Sequence, residues 1–112
     1  MLKHLIFLTL TFSSINTFAQ VSPNEKVTQR ITKNLIDSLG LSEKQSIQIN
    51  DINKQLQEFK MEQWKIYSNR DSLRMAIQRI ENTRDSLYKA VISEESFIKY
   101  KKKKASLINN NN

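Results

Sequence analysis

The side chains best suited to chemistry in this sequence are cations. Lys99 and Lys101 to Lys104 place five positive charges in six positions. Arg70, Arg74 and Arg84 lie upstream, in a stretch from 41 to 91 that holds no Gly and no Pro. Such residues bind anions: acidic peptide segments, phosphate groups or anionic lipid. The groups that catalysis uses are scarce. The chain has no Cys, and its one His is His4. Without thiols and with no imidazole past residue 4, the usual nucleophiles, general bases and zinc ligands are missing. Glu94-Glu95 is a carboxylate pair by sequence, but a helix start favours acidic residues without any catalytic role. Met61 and Met75 are soft ligands in principle and packing residues in practice. One Gly leaves no Gly-rich phosphate loop. The expectation is a helical binding protein, not an enzyme, with no cofactor and no metal.

The elements that must position the cations can be read from caps and periodicity. Met1 to Ala19 has the form of a secretory signal: Lys3, an apolar run from Leu5 to Phe12, and Thr17-Phe18-Ala19 before Gln20. The apolar run is short of the roughly 20 residues that span a membrane. Cleavage after Ala19 and a periplasmic location are expected, with residues 20–108 as a single helical domain and 109–112 as a disordered polar tail. Without Lys3, 17 basic residues stand against 11 acidic ones, and five of the 17 are the lysines at 99 and 101–104. Outside the inner membrane these point to acidic protein segments or anionic envelope surfaces, not to nucleic acid.

Ser22-Pro23-Asn24-Glu25 has capping-box form, with Pro23 at the first helical position. Val27, Ile31 and Leu35 follow at four-residue steps, and Gly40 suits the left-handed residue after a helix end. The spacing predicts a helix over 23–39, closed by a Schellman contact between Leu41 and Ile36. Ser42-Glu43-Lys44-Gln45 is a second capping box. Behind it runs a heptad seam: Gln45, Ile49, Ile52, Leu56, Phe59, Gln63, Ile66. The seam continues in phase through Arg70, Leu73, Ile77, Ile80, Arg84, Leu87 and Val91. Either one long helix spans 42–91, or a hairpin breaks near Ser68-Asn69-Arg70-Asp71, the most turn-prone residues there. The hairpin is favoured because its halves cover each other, although the unbroken phase argues for one helix. Arg70-Asp71-Ser72-Leu73-x-x-Ala76-Ile77 recurs 14 residues on as Arg84-Asp85-Ser86-Leu87-x-x-Ala90-Val91. Ser93 caps a last helix, with Ile92 and Phe97 as a hydrophobic staple. Trp64 and Tyr67 lie off the seam, as a second buried face or an exposed patch. The fold class is all-α: about four helices in elongated antiparallel hairpins. The thin core favours a dimer.

Leu41-Ser42-Glu43-Lys44-Gln45 resembles the Leu-Thr-x-x-Gln motif of the Spy/CpxP-like periplasmic proteins, a motif that normally occurs twice. Ile92-Ser93-Glu94-Glu95-Ser96 is the weaker second copy, with Ser96 in place of Gln. The matched positions are Leu41, Ser42, Gln45, Ile92 and Ser93, and the layout covers nearly all of 24–108. The resemblance implies a stress-related, ATP-independent chaperone that forms a cradle-shaped antiparallel homodimer. Its partners would be unfolded or misfolded envelope proteins. The cationic candidates for client binding are Lys101, Lys102, Lys103 and Lys104, then Arg70, Arg74 and Arg84. The alternative is a structural coiled-coil protein whose basic C-terminal helix holds an anionic membrane or lipopolysaccharide surface.

Overall fold

The computed structural model describes residues 21–109 and consists of four α-helices with no strand among the described residues. The export signal, its cleavage site and Asn110 to Asn112 lie outside the described residues. The helices are α1 (Pro23–Leu39), α2 (Glu43–Ile66), α3 (Arg70–Lys89) and α4 (Glu94–Asn109). Asn109, expected in the tail, closes α4.

Each boundary has a local cause. Ser22 accepts from the Glu25 amide at 3.2 Å, and Pro23 opens α1. Its box is incomplete, because the Ser22 hydroxyl meets the Glu25 carboxylate instead of the glutamate reaching the Ser22 amide. Gly40 has φ +63°, the left-handed region that costs a residue with a Cβ about 1–2 kcal/mol. Its amide donates to the Ile36 carbonyl at 2.9 Å, the bond of the simpler αL cap and not of the expected Schellman pair. Ser42 and Gln45 form both halves of a capping box at 3.0 and 3.1 Å. Tyr67 adopts an extended conformation and ends α2. Asn69 then caps α3, its side chain accepting from the Asp71 and Ser72 amides at 2.9 and 3.0 Å. Residues 42–91 therefore form a hairpin. Ser93 accepts from the Ser96 amide at 3.1 Å and starts α4.

The hairpin also accounts for the unbroken heptad phase. Asn53 on α2 meets Arg84 and Tyr88 on α3, and Lys60 meets Glu81. That register folds the seam about residues 69–70. Ile52 comes level with Leu87, Phe59 with Ile80, and Ile66 with Leu73. A seam that repeats every seven residues through a turn lands on itself when the chain doubles back there.

Each helix packs on the next, and α4 also returns to α1. At 24 and 20 residues, α2 and α3 outrun α1 (17) and α4 (16), so the hairpin tip projects past the other two helices. The main core fills the closed end: Ile31, Leu35, Ile49, Tyr88, Ile92, Tyr100, Leu107 and Ile108.

Candidate functional site

The cations fall into two populations, one turned inward and one at the surface. The inward population gathers on two carboxylates of α3 one turn apart, Glu81 and Asp85. Arg84 donates to both Glu81 oxygens, at 2.9 and 3.3 Å. Lys60 of α2 reaches Glu81 at 2.6 Å. Lys104 of α4 lies 2.8 Å from Asp85 and 3.7 Å from Glu81. Lys101 pairs with Asp85 at 2.8 Å, and the Tyr100 hydroxyl donates to the same carboxylate at 2.7 Å.

Arg84 is the centre of this cluster and is 1% exposed. Its Nη1 also donates to Asn53 Oδ1 at 2.9 Å and to the Tyr88 hydroxyl at 3.0 Å. Tyr88 donates to the same Asn53 oxygen. Asn53 Nδ2 donates to Thr32 Oγ1 at 2.9 Å, and Thr32 donates to Asn50 at 3.0 Å. The chain of bonds crosses the core from α1 to α3, and the carboxylates carry it on to α4. Among the described residues no buried side-chain polar atom is left without a partner.

The charges respond as this geometry requires. Partial burial pushes the Asp85 carboxyl up, but hydrogen bonds from Lys101, Lys104 and Tyr100 outweigh it and hold it down at about 2. Burial likewise raises Glu81, and the Arg84 charge with the Lys60 hydrogen bond brings it below its ordinary value. Burial pushes the Tyr88 hydroxyl up to about 12, and burial with the Asp85 carboxylate raises Tyr100. A carboxyl held low in the folded chain stabilises the fold above its ordinary value, here 3.8 for Asp85. That stability is lost as pH falls from there towards the folded value. Melting temperature is therefore expected to drop steeply between pH 4 and about 2. Asp85→Asn should lower it at pH 7 and change it little at pH 2. Equal effects at both pH values would show that the Asp85 charge contributes nothing.

The remaining candidates are at the surface. Arg70, Arg74, Lys102 and Lys103 are exposed and are in no ion pair among the described residues. The lysine run, written as one feature in the sequence, is thus split: 101 and 104 brace α4 against α3, while 102 and 103 face solvent. Arg84, expected with the client-binding cations, does not reach the surface. Its guanidinium is used inside the fold. Arg70, the matching residue of the internal repeat, opens α3 at the tip and stays exposed. The two copies share a helical phase but not an environment, because α1 and α4 cover only the second.

The two motifs meet. Gln45 completes the cap of α2 and extends its Nε2 to the Val91 carbonyl at 3.4 Å, beside Ile92-Ser93. Leu41 and Ile92 both border the core. Of the five motif residues, Gln45 makes the bond across, while Ser42 and Ser93 cap their own helices.

The projecting tip carries the largest apolar exposures. Trp64 is 62% exposed, Ile66 66% and Met75 63%. Trp64 follows Asn53, Gln57 and Lys60 on the flank of α2 that holds α1, but it lies past the first residue of α1. On α3, Arg70 and Arg74 continue the flank of Ile77, Glu81 and Tyr88 towards the tip. One face of the tip therefore combines Trp64 with Arg70 and Arg74. Sequence reading left the place of Trp64 open; its exposure depends on where α1 begins relative to α2, which no local pattern encodes. A polar groove of about 430 Å³ lies between the start of α1 and the middle of α2, lined by residues such as Asn24, Thr28, Asn50, Lys54 and Gln57.

Among the described residues, no group of three or more His, Cys, Asp or Glu could hold a metal ion, and no helix is long and apolar enough to cross a membrane. Compared with known proteins, the chain matches no family model, no curated protein and no solved structure.

Proposed function

We propose that the protein is an exported, ATP-independent chaperone that binds unfolded or misfolded envelope proteins in the periplasm, in the manner of the Spy/CpxP-like proteins. The observation that carries the reading is the tip face, where an exposed Trp64 stands with two exposed cations, Arg70 and Arg74, that are in no ion pair among the described residues. Partly unfolded chains display apolar side chains and carboxylates together, and a surface of this mixed kind binds both. The Gln45 bond to the Val91 carbonyl supports the resemblance, since it brings the two motifs side by side.

A second reading is favoured by the outward lysines. Lys99, Lys102 and Lys103 leave α4 with an exposed cationic flank that suits an anionic envelope surface.

One set of variants tests both readings. The wild type should suppress aggregation of a denatured client at near-stoichiometric ratio without nucleotide. Arg70→Gln with Arg74→Gln should slow capture severalfold at low salt and little at high salt, because salt screens exposed charge. Trp64→Ala should weaken capture at every salt concentration. Lys102→Gln with Lys103→Gln should leave capture nearly unchanged. If that last pair instead abolishes binding to anionic vesicles while the wild type suppresses no aggregation for several unrelated clients, the envelope-tether reading replaces the chaperone.

A further inference from the structure

The polar groove between α1 and α2 has a composition that the tip does not share. Four carboxamides line it, Asn24 and Gln29 from α1 and Asn50 and Gln57 from α2. Some of their polar atoms are engaged: Asn50 Oδ1 accepts from Thr32 at 3.0 Å, and Gln57 Nε2 donates to Asn24 Oδ1 at 3.3 Å. The Asn24 and Asn50 amide nitrogens, the Gln57 oxygen and the whole Gln29 side chain carry no hydrogen bond among the described residues. Both walls therefore offer open donors and acceptors. The charged groups along the groove, Glu25, Lys54 and Glu58, are of mixed sign, so it selects neither an anion nor a cation. No aromatic side chain among the described residues lines it, so it lacks the flat face on which a sugar ring stacks. At one end Gln57 approaches the Met61 sulfur at 3.7 Å. Trp64 lies two turns past Gln57 on the same flank, about 10 Å along the helix. The groove thus opens onto the tip face.

We infer that the groove holds the backbone of an extended peptide segment, its carboxamides bonding peptide N–H and C=O groups while Trp64 takes a neighbouring side chain. A carboxamide carries the donor and the acceptor of a peptide group in one plane, so it pairs with both backbone groups of a residue on an extended chain. Asn50 and Gln57 are seven residues apart on α2, about 10 Å, a distance that three residues of extended chain cover. The groove's volume of about 430 Å³ lies within the usual range for binding sites, about 300–1,000 Å³. Main-chain bonds give affinity without regard to sequence, as when a strand is added to a sheet edge. A folded protein has most of its backbone groups paired in its own secondary structure, whereas an unfolded segment presents them free. The groove therefore discriminates by folding state, and the tip by side chain. Naming the segment as part of an unfolded client rests on the function proposed above; the backbone chemistry of the groove does not.

Side-chain amide signals in NMR spectra of the purified protein read this binding residue by residue. The probe is a capped, uncharged peptide of Ser, Thr and Ala with one central Leu, about ten residues long and so longer than the groove. It is expected to shift the signals of Asn24, Gln29, Asn50 and Gln57. The same peptide with its backbone nitrogens methylated keeps every side chain, loses its N–H donors, and should bind about tenfold more weakly. Asn24→Ala with Gln29→Ala changes two exposed residues and should weaken binding of the unmethylated peptide about tenfold, with thermal melting little changed. Equal binding of the two peptides overturns the inference, as does equal binding by wild type and variant. Carboxamide signals that no peptide moves overturn it too. If an N-acetylglucosamine oligomer moves them instead, the groove is a glycan site and the inference is wrong. The two readings fail separately. A wild type that suppresses aggregation while its groove signals stay still keeps the chaperone and removes the groove. Peptide in the groove of a wild type that suppresses no aggregation keeps the groove and removes the chaperone.

Discussion

Arg84→Ala is expected to destabilise the protein by about 3–5 kcal/mol, the usual cost of removing one partner from a buried ionic cluster. For a domain of this size that lowers the melting temperature by about 15 °C or more. The cost has two sources. The guanidinium is fully enclosed and bonds to Glu81, Asn53 and Tyr88, so its removal opens a cavity among groups that had packed on it. It also takes a cation from Glu81. The second source is the smaller, because Lys60 and Lys104 remain beside that carboxylate. Arg84→Met separates the two. It restores most of the volume and none of the charge, and should cost no more than about half of what Ala costs. Arg70→Ala, the same residue in the other copy of the repeat, should change stability by about 0.5 kcal/mol or less, as exposed sites do. Thermal melts of the three variants decide the matter. A loss for Arg70→Ala comparable to that for Arg84→Ala would mean that the tip is not solvent-exposed in solution.

The contrast between Arg70 and Arg84 shows what could be read before folding and what could not. Helix limits were legible because their causes are local. Ser22, Gly40, Ser42, Asn69 and Ser93 each act within four residues of themselves, and all sit at helix boundaries. The hairpin was legible from turn chemistry at 68–71, and the heptad phase that spoke against it is a consequence of the chain folding back on its own repeat. The fate of each arginine was not legible. Asp-Ser-Leu follows both, but Arg84 has Glu81 three residues before it where Arg70 has Tyr67, and the reach of α1 and α4 along the hairpin encloses only Arg84. The lysine run lies between these cases. Tyr100 and Leu107 fix the inner face of α4, and Lys104 follows Tyr100 by one turn, so its inward direction was available from periodicity. That its partners would be Asp85 and Glu81 was not, since no local rule pairs residues about 20 apart. Chemistry therefore had to be argued from position. Arg70 and Arg74 stay at the surface because α3 runs past α4 there, and Lys102 and Lys103 because they lie on the outer side of α4.

The second large effect belongs to Asn53. Its side chain is 1% exposed, and its oxygen accepts from both Arg84 and Tyr88 while its amide donates to Thr32. Leu has the same branched outline and number of side-chain heavy atoms, is somewhat larger, and has no polar atom. Asn53→Leu thus deprives two buried donors of their acceptor without opening a cavity, and is expected to cost about 2–4 kcal/mol. Arg84 loses least, because it keeps Glu81; Tyr88 loses most, because its hydroxyl has no other acceptor among the described residues. A double-mutant cycle tests whether these groups act as one unit. Once Arg84 is Met, the Asn53 oxygen serves only Tyr88, and its loss strands one donor instead of two. Arg84→Met with Asn53→Leu should therefore be less destabilising than the two separate losses combined, by about 1 kcal/mol or more. The further change Tyr88→Phe removes the last stranded donor and should recover part of what Asn53→Leu cost. Strict additivity in chemical denaturation would show that Asn53, Arg84 and Tyr88 are satisfied independently. Coupling of the expected sign would show that α2 and α3 are locked in register by one shared acceptor. Sliding α2 by a single helical turn would separate that oxygen from both its donors, so the same bonds that stabilise the hairpin also hold Phe59 level with Ile80 and keep the heptad seam in register.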